Sequence, residues 1–338
     1  MKDVSWLAAA GLAGWGAARL AGAERCRPLE APLAPLLAFT PHATAAALVG
    51  SLLLPRKRAA ATAALTGTAL SAVVLPRAAR RPQPRAAGPV LRVITVNLLA
   101  GRASAEAIAG LVRRKAADVL FLQELTEPAA DSFKQAGLAD VLPYQMTDLR
   151  GDTTCGSGIY ARFPLSVGLH VRPTHAAQPT ARVELPDGQA ADLICVHSHS
   201  PNPPLSRAKV ARWREELGVL PPPADPAASP ADPPRVLAGD FNATLDHVHF
   251  RRLLRQGHAD AAAQLGSGLI PTWAPWGTPS LITIDHVLVD PRCAVLAVSV
   301  HPVPGSDHRA VYAEFRLPAR GGRTPAPGRH LPGVTSAE

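Results

Sequence analysis

The sequence predicts an α/β protein preceded by an apolar, helix-forming front end. Three observations point there. Six short apolar runs between Leu91 and Phe315 each present Asn, Asp, Glu or His at or near an end. A helical pattern, Ser104 to Lys115, separates the first two runs. Ahead of them, residues 31–55 and 59–76 contain no Asp, Glu, Lys or Arg.

Leu91 to Val96 is β-rich and runs into Asn97. Ser104 is a suitable N-cap, and Ile108, Leu111 and Val112 share one helical face. That helix leads to Asp118–Leu122, which ends in Gln123-Glu124, so the three segments make a βαβ unit. Asp192 to Val196 is the third run, ending in His197-Ser198-His199-Ser200-Pro201. Arg207 to Leu217 is a short helix, and the Pro-, Ala- and Asp-rich stretch Leu220 to Pro234 suits an exposed loop. Arg235 to Ala238 enters Gly239-Asp240-Phe241-Asn242-Ala243, Leu281 to Val289 carries Asp285, and Gly305-Ser306-Asp307-His308 precedes the last strand, Ala310 to Phe315. Beyond about Pro318, Gly, Pro and Arg dominate, and 319–338 is expected to be a disordered tail.

Asp240 and Asn242 carry the most information. At strand spacing, residues two apart point the same way, so both can address one reacting centre. A carboxylate binds a metal or takes a proton from water; an amide donates to a phosphoryl oxygen. The same Gly, Asp and Asn equally describe a strand-to-turn corner. Matching polar groups at the other strand ends favour a site.

Asn97, Gln123-Glu124, His197 ahead of Ser200-Pro201, Gly239-Asp240-Phe241-Asn242, Ile284-Asp285-His286 and Ser306-Asp307-His308 occur in one order. From about Val90 to about Leu317 this set resembles the endonuclease/exonuclease/phosphatase superfamily of metal-dependent phosphoesterases. Gly156 to Leu165 looks like that family's glycine-led strand and turn. The resemblance implies a four-layered, DNase I-like α/β sandwich: two mixed sheets face to face, flanked by helices. It also implies Mg²⁺ or Mn²⁺, held by Glu124 with Asp307, and by Asn97 supporting the metal or the phosphate; hard cations prefer such oxygen donors. In the same carry-over Asp240 orients and deprotonates the attacking water, and Asn242 holds the water or phosphate. His308 faces the phosphoryl group with its other nitrogen on Asp285, and His197 donates to a non-bridging oxygen. His199, two residues from His197, competes for that role. His247, His249, His258, His286 and His301 are expected to be packing or surface histidines. Trp273 and Trp276 line a pocket, meet a bilayer interface or simply pack.

The front end divides the chain into a membrane region, 1–88, and a catalytic domain, 89–318. Two to three transmembrane helices are expected at about 4–23, 31–55 and 59–76, with a basic linker after them. Segment 4–23 reads alternatively as a signal peptide, because Ala21-Gly22-Ala23 fits a cleavage pattern. Ala-rich helices also occur inside soluble proteins, but the sequence shows no partner layer nearby. Much of the net charge of +9 comes from arginines flanking these segments and in the tail, so it says little about nucleic acid. The four cysteines lack metal-ligand spacing, and Cys195 suits a buried apolar position.

An aromatic content of 4% and the absence of a dense basic cluster near the motifs argue against a duplex-binding groove. Apolar segments followed by this domain resemble the membrane-anchored VanJ-like members associated with teicoplanin resistance. That likeness implies a lipid-linked phosphate or pyrophosphate substrate, a bilayer partner, and a bacterial cytoplasmic membrane location with the domain outside. A tethered nuclease or general phosphodiesterase, and a non-catalytic envelope scaffold, are the competing expectations.

Overall fold

The computed structural model describes residues 4–150, 154–202, 206–225, 232–275 and 278–319. Four helices form the front end: α1 (Val4–Ala21), α2 (Arg27–Leu37), α3 (Thr40–Leu53) and α4 (Lys57–Val74). Helices α1, α3 and α4 lie against one another. Small residues permit the approach: Ala9, Ala47, Ala59 and Ala63 are fully buried, and a Cβ on Gly67 would come within 2.8 Å of Leu48. The Ala-rich segments therefore supply each other's partner layer. Sequence spacing alone could not show this, because the pairing is between segments.

With its 3₁₀ continuation, α4 spans Lys57–Ala78 and is the one straight helix among the described residues long and apolar enough to cross a membrane. In α1, Gly11, Gly14, Gly16 and Arg19 dilute the apolar character, and the helix ends before Gly22, whose φ is 68°. The continuous span expected at 31–55 is not formed. Helices α2 and α3 meet at 73° around Ala38 and Phe39. Pro41 has no N–H to reach the Leu37 carbonyl, and the Thr40 hydroxyl donates there instead at 2.7 Å.

The rest of the chain builds two six-stranded sheets. One contains β1 (Val90–Asn97), β2 (Val119–Gln123), β3 (Tyr144–Asp148), β4 (Ser157–Ala161), β11 (Ala294–Pro302) and β12 (Arg309–Arg316), in the order β11-β12-β1-β2-β4-β3. The other contains β5 (Leu165–Val167), β6 (Thr180–Glu184), β7 (Ala190–His197), β8 (Arg235–Asp240), β9 (Ala259–Asp260) and β10 (Asp285–Val289), in the order β5-β6-β7-β8-β10-β9. Helices α5 (Ala105–Lys115), α6 (Glu127–Gln135), α7 (Arg207–Gly218), α8 (Val248–Arg255) and the short α9 (Ala261–Gln264) complete the chain.

Alternation along the strands generates the layers. Leu91 and Val93 of β1 pack between the sheets with Phe121, Leu193 and Val236, whereas Ile94 and Val96 pack outward with Ile108 of α5 and Phe133 of α6. On the second sheet Ile194, Leu237 and Leu288 meet Trp213 of α7 and Phe250 of α8, joined by Ala31 and Ala34 of α2. Each large apolar side chain so buried contributes about 1.5–3 kcal/mol. The expected βαβ unit is present: β1 and β2 pair in parallel across α5, whose Ser104 cap accepts from Ala107 N at 3.1 Å.

Strands β7 and β8 are likewise parallel, while β10 runs antiparallel to β8 and β12 antiparallel to β1. The C-terminal ends of β1, β2, β7 and β8 therefore gather with the starts of β10 and β12 at one end of the sandwich. Two local expectations change. Strand β10 begins at Asp285 rather than Leu281, because Ile282 bridges to Trp273 instead. The first part of 220–234 is not exposed loop: Leu220 joins the α7–α8 core, and the Pro222 and Pro223 carbonyls accept from Arg235. Residues 226–231, Trp276 and the expected tail from 320 onward lie outside the described residues.

Candidate active site

Gly239 makes the central corner feasible. Its φ is 153°, and a Cβ would stand 1.9 Å from the Val196 carbonyl oxygen, so no other residue lets β8 lie so close to β7. Asp240 then falls in register with His197 on one side and Asp285 on the other. Its Oδ1 accepts from Asn242 N at 2.8 Å; Oδ2 accepts from the amides of Asn242 and Asn97, each at 3.1 Å. Asn242 has φ 46°, so strand alternation is not what brings it to Asp240. The corner itself does, and turn and site are one structure.

Glu124, just beyond β2, is held in the same way. Its Oε1 accepts from Asn97 Nδ2 at 3.1 Å, and Oε2 accepts from Ala100 N at 2.6 Å. Leu99 N donates to Asn97 Oδ1 at 2.9 Å. Glu124, Leu99, Ala100 and Asn242 all have positive φ, leaving Ala116 as the remaining described non-glycine of that kind. Such conformations cost of order 1–3 kcal/mol each and persist where surrounding contacts impose them.

His308 turns Nδ1 to Asp285 at 3.0 and 3.1 Å, with Nε2 3.8 Å from Asp240 and 3.9 Å from Asp307. Burial opposes the imidazolium, but Asp285 and Asp240 outweigh it and raise His308 to about 10. Asp240 moves up to about 7: burial and the Asp285 charge raise it, against the opposing pull of His308. His197 is lowered to about 4 by burial and by the His308 charge, hence neutral at pH 7. Its Nε2 lies 4.0 Å from Glu124, and its buried Nδ1 has no partner among the described residues. His199 lines the same cavity, but its ring packs on His175 and its backbone N–H donates to Glu216.

All eight expected residues, Asn97, Glu124, His197, Asp240, Asn242, Asp285, Asp307 and His308, thus converge on one cavity or bond to its walls. Other contributors support them: Thr272, which carried no sequence signal, and Ser306 and Trp273, which lie in stretches the sequence singles out. Thr272 Oγ1 accepts from the Ile284 and Asp285 amides, fixing the start of β10. Ser306 Oγ donates to the Asn97 carbonyl and accepts from His308 N, tying β1 to β12. Trp273 Nε1 donates to Asp307 at 3.0 Å. Of the other histidines, His286 is fully committed to Asp260 and the Ala243 carbonyl, as a packing residue.

The donor set fits a divalent cation. Glu124 and Asp307 face the cavity, and the buried Oδ1 of Asp307 has no hydrogen-bond partner among the described residues. Ligand atoms of Asp240, Asp285 and His308 also lie within 4.8 Å of one another. Asp285 turns both oxygens to His308 and does not line the cavity, whereas Glu124 and Asp307 do. Carboxylates on one wall and an imidazolium with a neutral histidine on the other suit a phosphoryl group bound beside a cation.

Two mixed sheets with polar strand ends gathered over one cavity define a phosphoesterase-type α/β sandwich. The chain belongs to the Endonuclease/Exonuclease/phosphatase family, whose model matches residues 94–308. Solved structures share the fold. An endonuclease/exonuclease/phosphatase from Beutenbergia cavernae DSM 12333 aligns with 21% identity and TM-score 0.52, over 68% of this chain and 72% of that one. Humanized D. rerio TDP2 aligns with 20% identity and TM-score 0.51, over 68% of this chain and 99% of that one. D. rerio TDP2 complexed with single strand DNA product likewise aligns with 20% identity and TM-score 0.51, over 68% of this chain and 99% of that one. No curated protein matches the chain at a significant level.

Proposed function

We propose that this chain is a membrane-anchored, divalent-metal-dependent phosphohydrolase acting on a lipid-linked phosphate or pyrophosphate. One observation carries the membrane part. The helical segment is bonded directly to the residues that follow the Gly239–Asn242 corner. Asp246 receives Arg19 and Arg77, both at 2.6 Å, Val248 N donates to Glu24 at 2.7 Å, and His247 Nε2 donates to the Ala34 carbonyl at 2.6 Å. Any surface the helices bind is therefore held beside the site. Their outer faces are apolar: Leu52 is 84% exposed, and Leu7 and Leu65 are each 74% exposed. In this proposal α4 crosses the bilayer, with α1 and α3 packed along it. Arg56-Lys57-Arg58 lies at the end away from the catalytic region, whereas Arg19 and Arg77 at the near end are neutralised on Asp246. Arg80, Arg81 and Arg85 follow at the near end, so basic residues flank both ends of α4 and do not choose the side; the extracytoplasmic placement in this proposal rests on the likeness to membrane-anchored family members.

The bound metal would neutralise phosphoryl charge and lower the pKa of a bound water. Glu124 and Asp307 would hold it, with Asn97 orienting Glu124. Asp240, raised toward neutrality and fixed by two asparagines, accepts the proton of the attacking water. The His308 imidazolium, kept charged by Asp285, stabilises the phosphoryl oxygens as charge develops, and neutral His197 donates one N–H to them.

Purified full-length protein with Mg²⁺ is the test, assayed against polyprenyl pyrophosphate, polyprenyl phosphate, plasmid DNA and single-stranded DNA. Phosphate release from a polyprenyl substrate is expected; rapid DNA cleavage without it overturns the proposal.

A further inference from the structure

The catalytic cavity is not built by the α/β sandwich alone. Ala34, Pro35, Ala38 and Phe39, at the bend between α2 and α3, line the same space of about 540 Å³ as Glu124, Asp240 and His308. Ala38 and Phe39 pack with Ile282, Ile284 and Trp273, so the bend and the approach to β10 form one continuous apolar wall. The wall is fixed in place. Ala34 O is held by His247, and Glu30 on the same helix is bonded to Arg214 and, at 2.9 Å, to His249. Phe39 is only half-buried and lines the cavity.

The cavity therefore has two unlike sides. One offers carboxylates, an imidazolium and a neutral histidine. The other offers methyls, a proline ring and a phenyl ring, with Trp273 Nε1 already committed to Asp307. A sugar or nucleobase seated against that wall would leave its polar edges unpaired; a hydrocarbon would not.

We propose that the α2–α3 bend is a substrate-selecting wall, in which Phe39, Ala38 and Ile282 receive the first carbons of an apolar chain esterified to the phosphate. This rests on the phosphohydrolase reading above and adds which residues of the anchor segment read the substrate. The front end thereby contributes to selectivity as well as to location.

The test uses the full-length protein with Mg²⁺ and n-alkyl phosphates from ethyl to hexyl, which stay monomeric in solution. In the native protein kcat/KM is expected to climb about threefold to fourfold per added methylene, roughly a hundredfold across the series. Phe39→Ala and Ile282→Ala should each reduce the hexyl-to-ethyl preference at least tenfold. Phe39→Leu, which keeps most of the apolar volume, should retain the preference, and melting temperatures identify any variant that has not folded. Parallel calorimetry with the matching alkylphosphonates, which carry no cleavable ester, separates the two ideas. Ester turnover with no chain-length dependence in the native protein overturns the selecting wall and leaves the phosphohydrolase standing. Phosphonate affinity that climbs with chain length and flattens in Phe39→Ala, without turnover of any ester or of polyprenyl pyrophosphate, supports the wall and overturns the hydrolase. A preference unchanged in both alanine variants also overturns the wall.

Discussion

His308 points Nδ1 at both carboxylate oxygens of Asp285, 3.1 and 3.0 Å away, across the starts of two strands from different sheets. Asp285 is a main reason why His308, despite burial, keeps its proton to about pH 10. Asp285→Asn removes that charge, so the histidine should lose its proton nearer the ordinary value of about 6.5. The alkaline limb of the kcat/KM profile is expected to move down by pH units, with a loss at pH 9 of about 10²-fold or more. A pH–rate profile that keeps its alkaline limb in place contradicts the assignment.

Asp240→Asn preserves shape but removes the proton acceptor. Turnover should fall by about 10²- to 10⁴-fold. Stability should respond in the opposite sense. Burial and Asp285 raise the folded pKa of Asp240 above its unfolded value, so ionising it in the folded protein costs stability. That cost grows as pH rises from about 4 toward 7. With metal chelated, the melting temperature of the variant relative to the native protein should therefore improve between pH 4 and pH 8.

Glu124 and Asp307 predict a measurable metal effect independent of activity. Mg²⁺ binding to the folded form alone stabilises it by mass action, about 2.7 kcal/mol at a hundred times Kd. Saturating Mg²⁺ should raise the melting temperature of the native protein, and Glu124→Gln should need at least tenfold more metal for the same shift. Chelation should abolish turnover and leave the helical circular dichroism signal intact.

Asp246 is fully buried with two guanidiniums on it. Burial alone would raise its carboxyl, but Arg77 and Arg19 hold it below the ordinary range. Its contribution is thus complete above the unfolded value of about 3.9 and is lost as pH falls through the lower folded value. Asp246→Ala leaves two buried cations unpaired, a loss of about 3–5 kcal/mol. Limited trypsin digestion should then cut between the helices and the sandwich at Arg77, Arg80 or Arg85 much faster than in the native protein.

The residues of the candidate site are legible because each stands at or beside a strand end, where an apolar run stops on a polar group. Asp240, Asp285 and His308 could be named from that pattern alone. Asn242 was named for the wrong reason, since its left-handed backbone rather than strand alternation turns its amide to Asp240. The apolar wall was invisible. Ala34, Ala38 and Phe39 carry no polar mark, and they reach the cavity only because Pro41 breaks a run that otherwise reads as one span. The partners of Glu24 and Arg19 lie 224 and 227 residues away, beyond any local periodicity.

The Arg19–Asp246–Arg77 contact also sets a schedule for synthesis. At 5–20 residues per second, Asp246 follows Arg19 out of the ribosome by roughly ten to forty-five seconds. Throughout that interval the helices exist with Arg19, Glu24 and Arg77 lacking the partners that later bury them. The front end cannot reach its final packing until the chain has been made as far as the segment after β8 that carries Asp246 and Val248. Packing of the two parts is in this way a single event, and a chain stopped before residue 246 would carry helices that are never locked.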